Sequence, residues 1–321
     1  MKRWAGQCAL GIVVAANLIS LLAAQSAVAQ SPAATGDAAW RQQLAEWRAQ
    51  REKDLAAPDG WLTLVGLEWL KSGVNTVGSG ADNQIHLPAP APIHLGLLTV
   101  SGKPPMSQTI QLLAPGGGFP ADMKIDGAPA REGPLSVDDQ KPSTITWNGL
   151  TMVVLHRGDR YALRIKDANS PTRTGFHGLN WYELDPRYRI VAKWIPFTPP
   201  LIEKIPTVIG TTLDMPSPGA AEFALGGKTL RLEPVTEEGE ESTLSFILRD
   251  LTSQTTTYQS ARFLHTGLPS NGLDKPGTLT LDFNQLENPP CAYTPYATCP
   301  LPPEQNRLAV ALQAGEKRYS H

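Results

Sequence analysis

Short apolar runs, separated by turn-forming residues, make up most of the chain after Trp61. Glycine, proline, asparagine or aspartate interrupts the pattern at intervals of about 8–12 residues. The runs are Leu62–Leu67, Ile93–Val100, Thr109–Leu113, Thr144–Trp147, Met152–His156, Tyr161–Ile165, Ile190–Ile195, Phe223–Leu225, Thr229–Glu233, Leu244–Leu248 and Thr278–Phe283. Even spacing of this kind is typical of β-sandwiches and barrels rather than of alternating strands and helices. We therefore predict a mainly β protein built from sandwich-like or barrel-like modules.

One segment near the N-terminus has a helical pattern instead. Trp40, Leu44, Trp47 and Leu55 recur at helical spacing among arginine, glutamine and glutamate residues. This pattern predicts an amphipathic helix of about four turns. The turn sequence Pro58-Asp59-Gly60 is expected to end it, because proline fixes φ and glycine permits a sharp turn.

The order of these patterns predicts four regions. Residues 1–29 are a predicted signal peptide, and residues 30–58 hold a leader and the amphipathic helix. Residues 59–170 form a first, sandwich-like β module, and residues 176–321 form a second one with a C-terminal loop rich in proline and cysteine. The segment between them, around Pro171–Gly178, has little strand character. A single continuous fold remains an alternative to two modules.

The N-terminus has the features of an export signal. Met1–Arg3 is positively charged, Ala9–Ala24 is apolar, and Ala27–Ala29 has the small-x-small pattern of a signal peptidase site. Cleavage before Gln30 would leave a periplasmic or secreted protein with no stable membrane span. The alternative is that the segment is kept as a membrane anchor, although the apolar run is somewhat short for one.

The composition and charge of the chain argue against nucleic acid as a partner. The formal net charge of the chain is −2, and loss of Lys2 and Arg3 with the signal peptide makes it more negative. No basic patch stands out along the sequence. Because nucleic acids are bound chiefly through lysine and arginine contacts to phosphates, a nucleic-acid partner has no electrostatic support.

The segment Leu281–Leu308 contains both cysteines that remain after signal cleavage, together with many prolines. In an oxidising compartment Cys291 and Cys299 are expected to form a disulfide. The alternatives are reduced thiols, for which His177 or His265 would serve as the base, and metal ligation. Prolines stiffen the segment before folding. We therefore predict that it is partly buried against the strands that carry Arg249 and Arg262.

The polar residues of the C-terminal half are the candidate site. The candidates for binding are Arg249, Arg262, Tyr258, Asn284, Asn288, Tyr293, Tyr296 and Asn306, and those for acid–base catalysis are Asp282, Glu316 and Asp250. Strand alternation predicts that Asp282 and Asn284 point away from the apolar core. The set has two interpretations. It is an ion-pair network that holds the proline-rich loop, or a small-molecule pocket in which arginine fixes an anionic group.

The sequence lacks the motifs of several common metal-binding, catalytic and phosphate-binding sites. The six histidines do not have metal-ligand spacing, and Cys291 and Cys299 match no standard zinc pattern. There is no Gly-x-Ser-x-Gly elbow, no Ser-x-x-Lys and no glycine-rich phosphate loop ahead of a helix. We therefore expect neither a metal nor another cofactor, and whether the protein is an enzyme remains open.

Two family resemblances add to this reading. Gly73–Pro88 resembles the opening of forkhead-associated phosphopeptide-binding sandwiches, but Ser79 stands where their phosphate-contacting arginine lies. This resemblance implies the sandwich shape without phosphopeptide binding.

The second resemblance extends from about residue 40 to the C-terminus. It rests on these blocks, in this order: Asp59–Leu70, Arg164–Asp167, Arg249–Thr252, Thr257–Tyr258, Arg262–Leu264 and the Asn288-Pro-Pro-Cys…Thr298-Cys-Pro-Leu-Pro-Pro run. Together they resemble a bacterial family known only as a domain of unknown function and often exported. This resemblance implies an exported protein and supplies no catalytic residues.

Two hypotheses for function follow. The first is an exported, non-catalytic β protein of the cell envelope that binds a ligand or partner, with Tyr293 and Tyr296 exposed beside prolines as a recognition surface. The alternative is a hydrolase of an envelope-associated substrate that uses an Arg/Asp/Glu pocket in the C-terminal module. The sequence does not define the ligand, the reaction or the oligomeric state.

Overall fold

Strands account for most of the regular structure, as the alternating pattern predicts. The computed structural model of the protein describes residues 32–102, 108–137, 141–240 and 242–320. The predicted signal peptide lies outside the described residues. Within them, the long helix lies near the N-terminus and several β-sheets follow it. The prediction of a mainly β fold with one N-terminal helix is confirmed.

Helix α1 (Pro32–Leu55) begins earlier than the helical spacing predicts and includes most of the expected leader. Proline suits the first position of a helix, and the alanines that follow have high helix propensity. After α1 the chain turns at Gly60, where an added Cβ would clash with the carbonyl oxygen of Asp54. Only glycine permits so close an approach. In the described residues no helix is long and apolar enough to cross a membrane.

The first half of the strands forms two sheets that pack face to face. The strands are β1 (Leu64–Trp69), β2 (Gly73–Gly78), β3 (Ile85–His86), β4 (Gly96–Ser101), β5 (Thr109–Leu113), β6 (Lys124–Ile125), β7 (Ala128–Pro129), β8 (Gly133–Leu135), β9 (Ile145–Trp147), β10 (Leu150–Arg157) and β11 (Arg160–Asp167). One sheet has the order β1-β11-β10-β9-β6-β7 and the other β3-β2-β4-β5-β8. Leu98 and Ile110 from one sheet share a core with Met152 and Leu163 from the other. The predicted sandwich shape is confirmed.

A single-turn helix, α2 (Pro171–Thr174), follows the sandwich, and the remaining strands surround a second core. These strands are β12 (Arg189–Pro206), β13 (Thr212–Leu225), β14 (Lys228–Leu232), β15 (Leu244–Leu248), β16 (Arg262–Thr266) and β17 (Gly277–Asp282). They form a four-stranded sheet, β14-β13-β12-β17, and a two-stranded sheet, β15-β16. Trp194, Phe223, Phe246 and Leu281 are among the residues of this core. Arg41–His321 pack as one compact unit, and its two main cores are formed by residues that precede and follow residues 171–178 in the sequence.

The segment after β17 contacts both halves of this unit. It is held to the second half by isolated backbone bridges, which pair Glu287 with Phe263 and Arg307 with Arg249. It reaches the first half at Thr294, whose hydroxyl donates to the carbonyl of Leu64 at 3.1 Å. The prediction that this segment packs against the strands carrying Arg249 and Arg262 is therefore confirmed.

Candidate functional site

A cavity of about 500 Å³ lies where the two halves and the cysteine-containing segment meet. Three arginines line it, namely Arg51 of α1, Arg157 at the end of β10 and Arg164 of β11. The apolar part of its wall includes Trp61, Leu213, Met215, Phe246 and Phe263. Ligand sites are commonly concave and largely apolar, with a few converging polar groups. This cavity is therefore the candidate functional site.

Arg51 is fixed by three groups around it. Its Nε donates to Glu316 Oε1 at 2.9 Å and lies 3.3 Å from Glu287 Oε2, while Nη2 donates to the carbonyl of Asn288 at 2.8 Å. The side chain is 15% exposed. Burial lowers the pKa of Arg51, but the two carboxylates outweigh burial and the pKa is raised above its ordinary value. Arg51 is thus a permanently charged, oriented group in the cavity wall.

Glu316 lies behind Arg51 and is completely buried. Its Oε2 accepts from the Asn288 N–H at 2.8 Å and from the Tyr293 hydroxyl at 2.6 Å. Burial raises the pKa of Glu316, against the opposing effect of Arg51. Glu316 does not line the cavity. It positions Arg51 instead.

Arg157 and Arg164 form another part of the cavity wall. The Arg164 guanidinium lies 5.4 Å from the centre of the Trp61 ring, a cation–π contact. Arg157 Nε donates to the Thr298 hydroxyl at 3.4 Å, and its Nη1 donates to the carbonyl of His156 at 2.6 Å. Arg157 therefore joins the end of β10 to the cysteine-containing segment.

A hydroxyl, an imidazole and a carboxylate also line the cavity. The Ser245 hydroxyl and His265 Nδ1 are 3.1 Å apart, and His265 Nε2 is 3.7 Å from Glu287 Oε1. Glu287 raises the pKa of His265, burial opposes the shift, and the more distant Glu237 and Glu240 add to it. The same Glu287 carboxylate thus lies beside both Arg51 and His265.

The two cysteines are adjacent, and Cys299 lines the cavity. The backbone N–H of Cys291 donates to Cys299 Sγ at 3.2 Å, and both thiols are free in this structure. The hydrogen bond between the two side chains raises the pKa of Cys299 and lowers that of Cys291, and burial raises both. Of the two histidines considered as a base for a thiol, His265 lines the cavity with Cys299 and His177 does not.

Arg262 and Asp250 form a separate, completely buried ion pair. Arg262 Nη1 lies 3.0 Å from Asp250 Oδ2 and donates to the carbonyl of Leu312 at 3.0 Å, and Nη2 donates to the carbonyl of Ala314. Both side chains are 0% exposed. Asp250 Oδ1 accepts from the Thr252 N–H at 2.8 Å. Neither residue lines the cavity, and their contacts hold the C-terminal segment.

Asp282 and Asn284 are placed differently from the prediction. They were expected to point away from the core, yet Asp282 is 8% exposed and Asn284 is 0% exposed. Strand β17 ends at Asp282 and the chain turns into a 3-10 helix, so strand alternation does not extend to Asn284. Asn284 donates to Asp282 Oδ1 at 2.9 Å and to the carbonyl of Asp185 at 3.0 Å. Both side chains are therefore buried among polar partners and not exposed to solvent.

Tyr293 is also placed differently. It was expected to be exposed, but it is 1% exposed, with its hydroxyl on Glu316. Tyr296 is half-buried beside Leu64 and Cys299. The predicted recognition surface of two exposed tyrosines is therefore not formed.

The remaining candidates lie apart from the main cavity. Asn288 and Asn306 are buried and bond to backbone: Asn288 Nδ2 donates to the carbonyl of Lys317, and Asn306 Nδ2 donates to that of Glu233, both at 2.8 Å. Arg249 lines a smaller cavity of about 340 Å³, and Tyr258 is half-buried. The described residues contain no group of three or more His, Cys, Asp or Glu side chains that could hold a metal ion.

The arginines of the main cavity were missed in the sequence, although one signal was present. Arg51 lies four residues after Trp47 and four before Leu55, so it occupies the apolar face of the predicted helix. A charged residue at such a position needs a partner inside the fold. Arg157 and Arg164 had no comparable signal, because both are polar positions in alternating strands.

Comparisons with known proteins give a family without an activity. Residues 174–317 match the family model described as "Protein of unknown function (DUF1684)". This match supports a domain of unknown function over these residues. The solution NMR structure of an uncharacterized protein from Haloarcula marismortui is similar at 31% identity, covering 46% of this chain and 79% of that chain, with a TM-score of 0.39. No curated protein matches the chain.

Proposed function

We propose that this protein is an exported binding protein for a small organic anion, held in the cavity lined by Arg51, Arg157 and Arg164. The observation that carries the proposal is the convergence of three arginines, from three different elements, on one concave site. Guanidinium groups bind carboxylates and phosphates with directional, charge-assisted hydrogen bonds.

The position of Arg51 supports this proposal further. Glu316 and the Asn288 carbonyl hold its guanidinium in place in the absence of ligand. A group already fixed in its binding orientation loses little conformational entropy when a ligand binds. Ligand binding should therefore require little further ordering of the Arg51 side chain.

The apolar wall narrows the ligand class. Trp61, Phe246 and Phe263 contribute ring surface, and Met215 contributes a flexible thioether side chain. Glu237 and Glu287 also line the cavity, and they would repel a ligand that carries negative charge at both ends. A ligand with one anionic group and an apolar body fits both features.

A panel of small anions tests this proposal. Benzoate and phenyl phosphate, each with one anionic group on an apolar body, would be compared with succinate and with neutral benzamide by thermal shift and calorimetry. We expect benzoate and phenyl phosphate to stabilise the protein, and succinate and benzamide not to. Arg164→Gln should weaken binding at least ~10-fold, because a charge-assisted hydrogen bond contributes about 1.5–3 kcal/mol.

Arg249→Gln is the matched control, since Arg249 lines the smaller cavity. It should bind the anions as the wild type does. Circular dichroism would establish that both variants are folded. Equal loss of binding in the two variants, or no anion effect on the wild type, would exclude the cavity as an anion site.

We also propose that the protein is exported and that Cys291 and Cys299 form a disulfide. The charged, apolar and small-residue regions of residues 1–29 support cleavage before Gln30 and a periplasmic or secreted location. The adjacency of Cys291 and Cys299 supports their pairing under oxidising conditions. Cell fractionation and the mass of the mature protein test the first, and an intact protein recovered from the cytoplasm would contradict it.

A further inference from the structure

Ser245, His265 and Glu287 form a connected row along one wall of the cavity. The hydroxyl of Ser245 is 3.1 Å from His265 Nδ1, and the opposite ring nitrogen is 3.7 Å from the carboxylate of Glu287. All three residues line the cavity. A nucleophile, a base and a group that orients the base are the parts that acyl-transfer catalysis requires.

The backbone fixes this row. Ser245 on β15 lies directly opposite His265 on β16 in the antiparallel register. Glu287 is held to β16 by two hydrogen bonds with Phe263, each at 2.9 Å, one from each N–H to the other carbonyl. Residues two apart on a strand lie on the same face, so Phe263 brings Glu287 beside His265. The three side chains are therefore positioned by regular strand pairing.

The charges around the imidazole favour one tautomer. Glu287 Oε1 faces Nε2, so the ring proton is stabilised on Nε2 and Nδ1 is left to accept from Ser245. The other oxygen, Oε2, lies 3.3 Å from Arg51 Nε, which holds the carboxylate in place. The proton of the serine hydroxyl thus points to a nitrogen that can take it.

We propose that the cavity hydrolyses esters that carry an anionic group, with Ser245 as nucleophile and His265 as general base and acid. This inference rests on the proposed function, because the arginines would hold the anionic end of the ester. Arg51, Arg157 and Arg164 line the same cavity as Ser245.

The reaction has two steps. Ser245 Oγ adds to the ester carbonyl carbon and its proton moves to His265 Nδ1. The ester C–O bond then breaks, and the alcohol leaves with that proton. A water molecule next attacks the acyl-serine, giving one proton to His265. The acyl–Oγ bond breaks, the proton returns to Ser245, and a carboxylic acid is released.

Hydrolysis of mono-4-nitrophenyl succinate tests this activity, with the neutral ester 4-nitrophenyl acetate for comparison. We expect wild-type protein to hydrolyse the anionic ester in preference and to form a succinyl adduct on Ser245, detected by peptide mass spectrometry. Ser245→Ala should lose the adduct and at least ~100-fold in rate, as general-base and nucleophilic catalysis contribute about 10²–10⁴-fold. Ser260→Ala, in the smaller cavity, should retain the full rate.

Binding of benzoate by calorimetry separates the two proposals. Ser245→Ala that binds benzoate normally, together with a wild type that shows neither adduct nor turnover, overturns the catalytic inference and leaves the binding function standing. Absence of benzoate binding to the wild type counts against both. If Ser245→Ala keeps the full rate while His265→Gln loses it, a plain imidazole reaction replaces the serine mechanism.

Discussion

Two clusters of charged side chains in this molecule use the same residue types and differ in their access to solvent. Arg262 and Asp250 are both 0% exposed, pair with each other and bond to backbone groups. In the cavity cluster, Arg51 and Glu287 are 15% and 16% exposed and His265 is 41% exposed. The first cluster is enclosed by the fold, and the second borders a cavity. The comparison shows that arginine–carboxylate pairs alone do not mark a site.

Breaking the enclosed pair should have the largest effect on stability. Arg262→Met leaves Asp250 buried without its partner, which we expect to cost about 3–5 kcal/mol in the free energy of unfolding. Urea denaturation measures the loss. Arg187→Met, which removes an exposed arginine paired with Asp185, is the control and should change stability far less, because solvent screens an exposed pair. A loss of similar size in both variants would show that burial does not determine how much such an ion pair contributes to the free energy of unfolding.

A disulfide between Cys291 and Cys299 would change the cavity wall, which includes Cys299, without adding or removing a charged side chain. Oxidised protein should contain one Cys291–Cys299 disulfide, and its formation should stabilise the fold by about 2–3 kcal/mol in the chain-entropy model. Alkylation followed by intact mass gives the thiol count, and urea denaturation of oxidised and reduced protein gives the difference. Two free thiols in protein purified under oxidising conditions would contradict the pairing.

The Tyr293 hydroxyl is one of two donors to Glu316 Oε2, the other being the Asn288 N–H, and Glu316 in turn holds Arg51. Tyr293→Phe removes the 2.6 Å hydrogen bond to Glu316 and should cost about 1–2 kcal/mol, because a charged acceptor is left with one donor fewer. Tyr296→Phe is the matched control, since Tyr296 is only half-buried. Thermal unfolding of the two variants should therefore separate them. Identical melting temperatures would show that Glu316 does not depend on Tyr293.

The smallest expected effect is a pH dependence from the cavity cluster. Because the folded-state pKa of His265 is raised, chiefly by Glu287, its contribution to stability is present below the unfolded pKa of about 6.5. That contribution is lost as pH rises through the folded pKa. The stability difference between wild type and His265→Gln should then be larger at acidic than at alkaline pH, and remain below ~1 kcal/mol for a ring this exposed. A stability difference that grows with pH would contradict the predicted direction of the His265 contribution.

The fold was largely accessible from the sequence, because alternation and turn residues act locally. The runs Leu244–Leu248 and Tyr161–Ile165 lie in strands, as predicted. The buried placement of Asn284 was not accessible in this way. It depends on the chain leaving the strand at Asp282 and on a partner at Asp185, far away in sequence.

The candidate site could be predicted only in part from the sequence, because it too depends on contacts between distant residues. The polar residues of the C-terminal segment were identified, but most of them hold that segment in place. The cavity itself needs Arg51 and Arg164 from the first half of the chain, and its row of Ser245, His265 and Glu287 forms through strand pairing. No local pattern links residues from such different parts of a sequence.

The contacts of the C-terminal segment also have a consequence for folding kinetics. Arg51 and Glu316 are 265 residues apart in sequence, and Thr294 and Leu64 are 230 apart. Contacts across such long loops form slowly, since much chain entropy is lost before they stabilise anything. The cavity should therefore be completed after most strands have formed. In a refolding experiment, recovery of anion binding should lag behind recovery of the far-ultraviolet circular dichroism signal, and simultaneous recovery would show that the cavity forms with the strands.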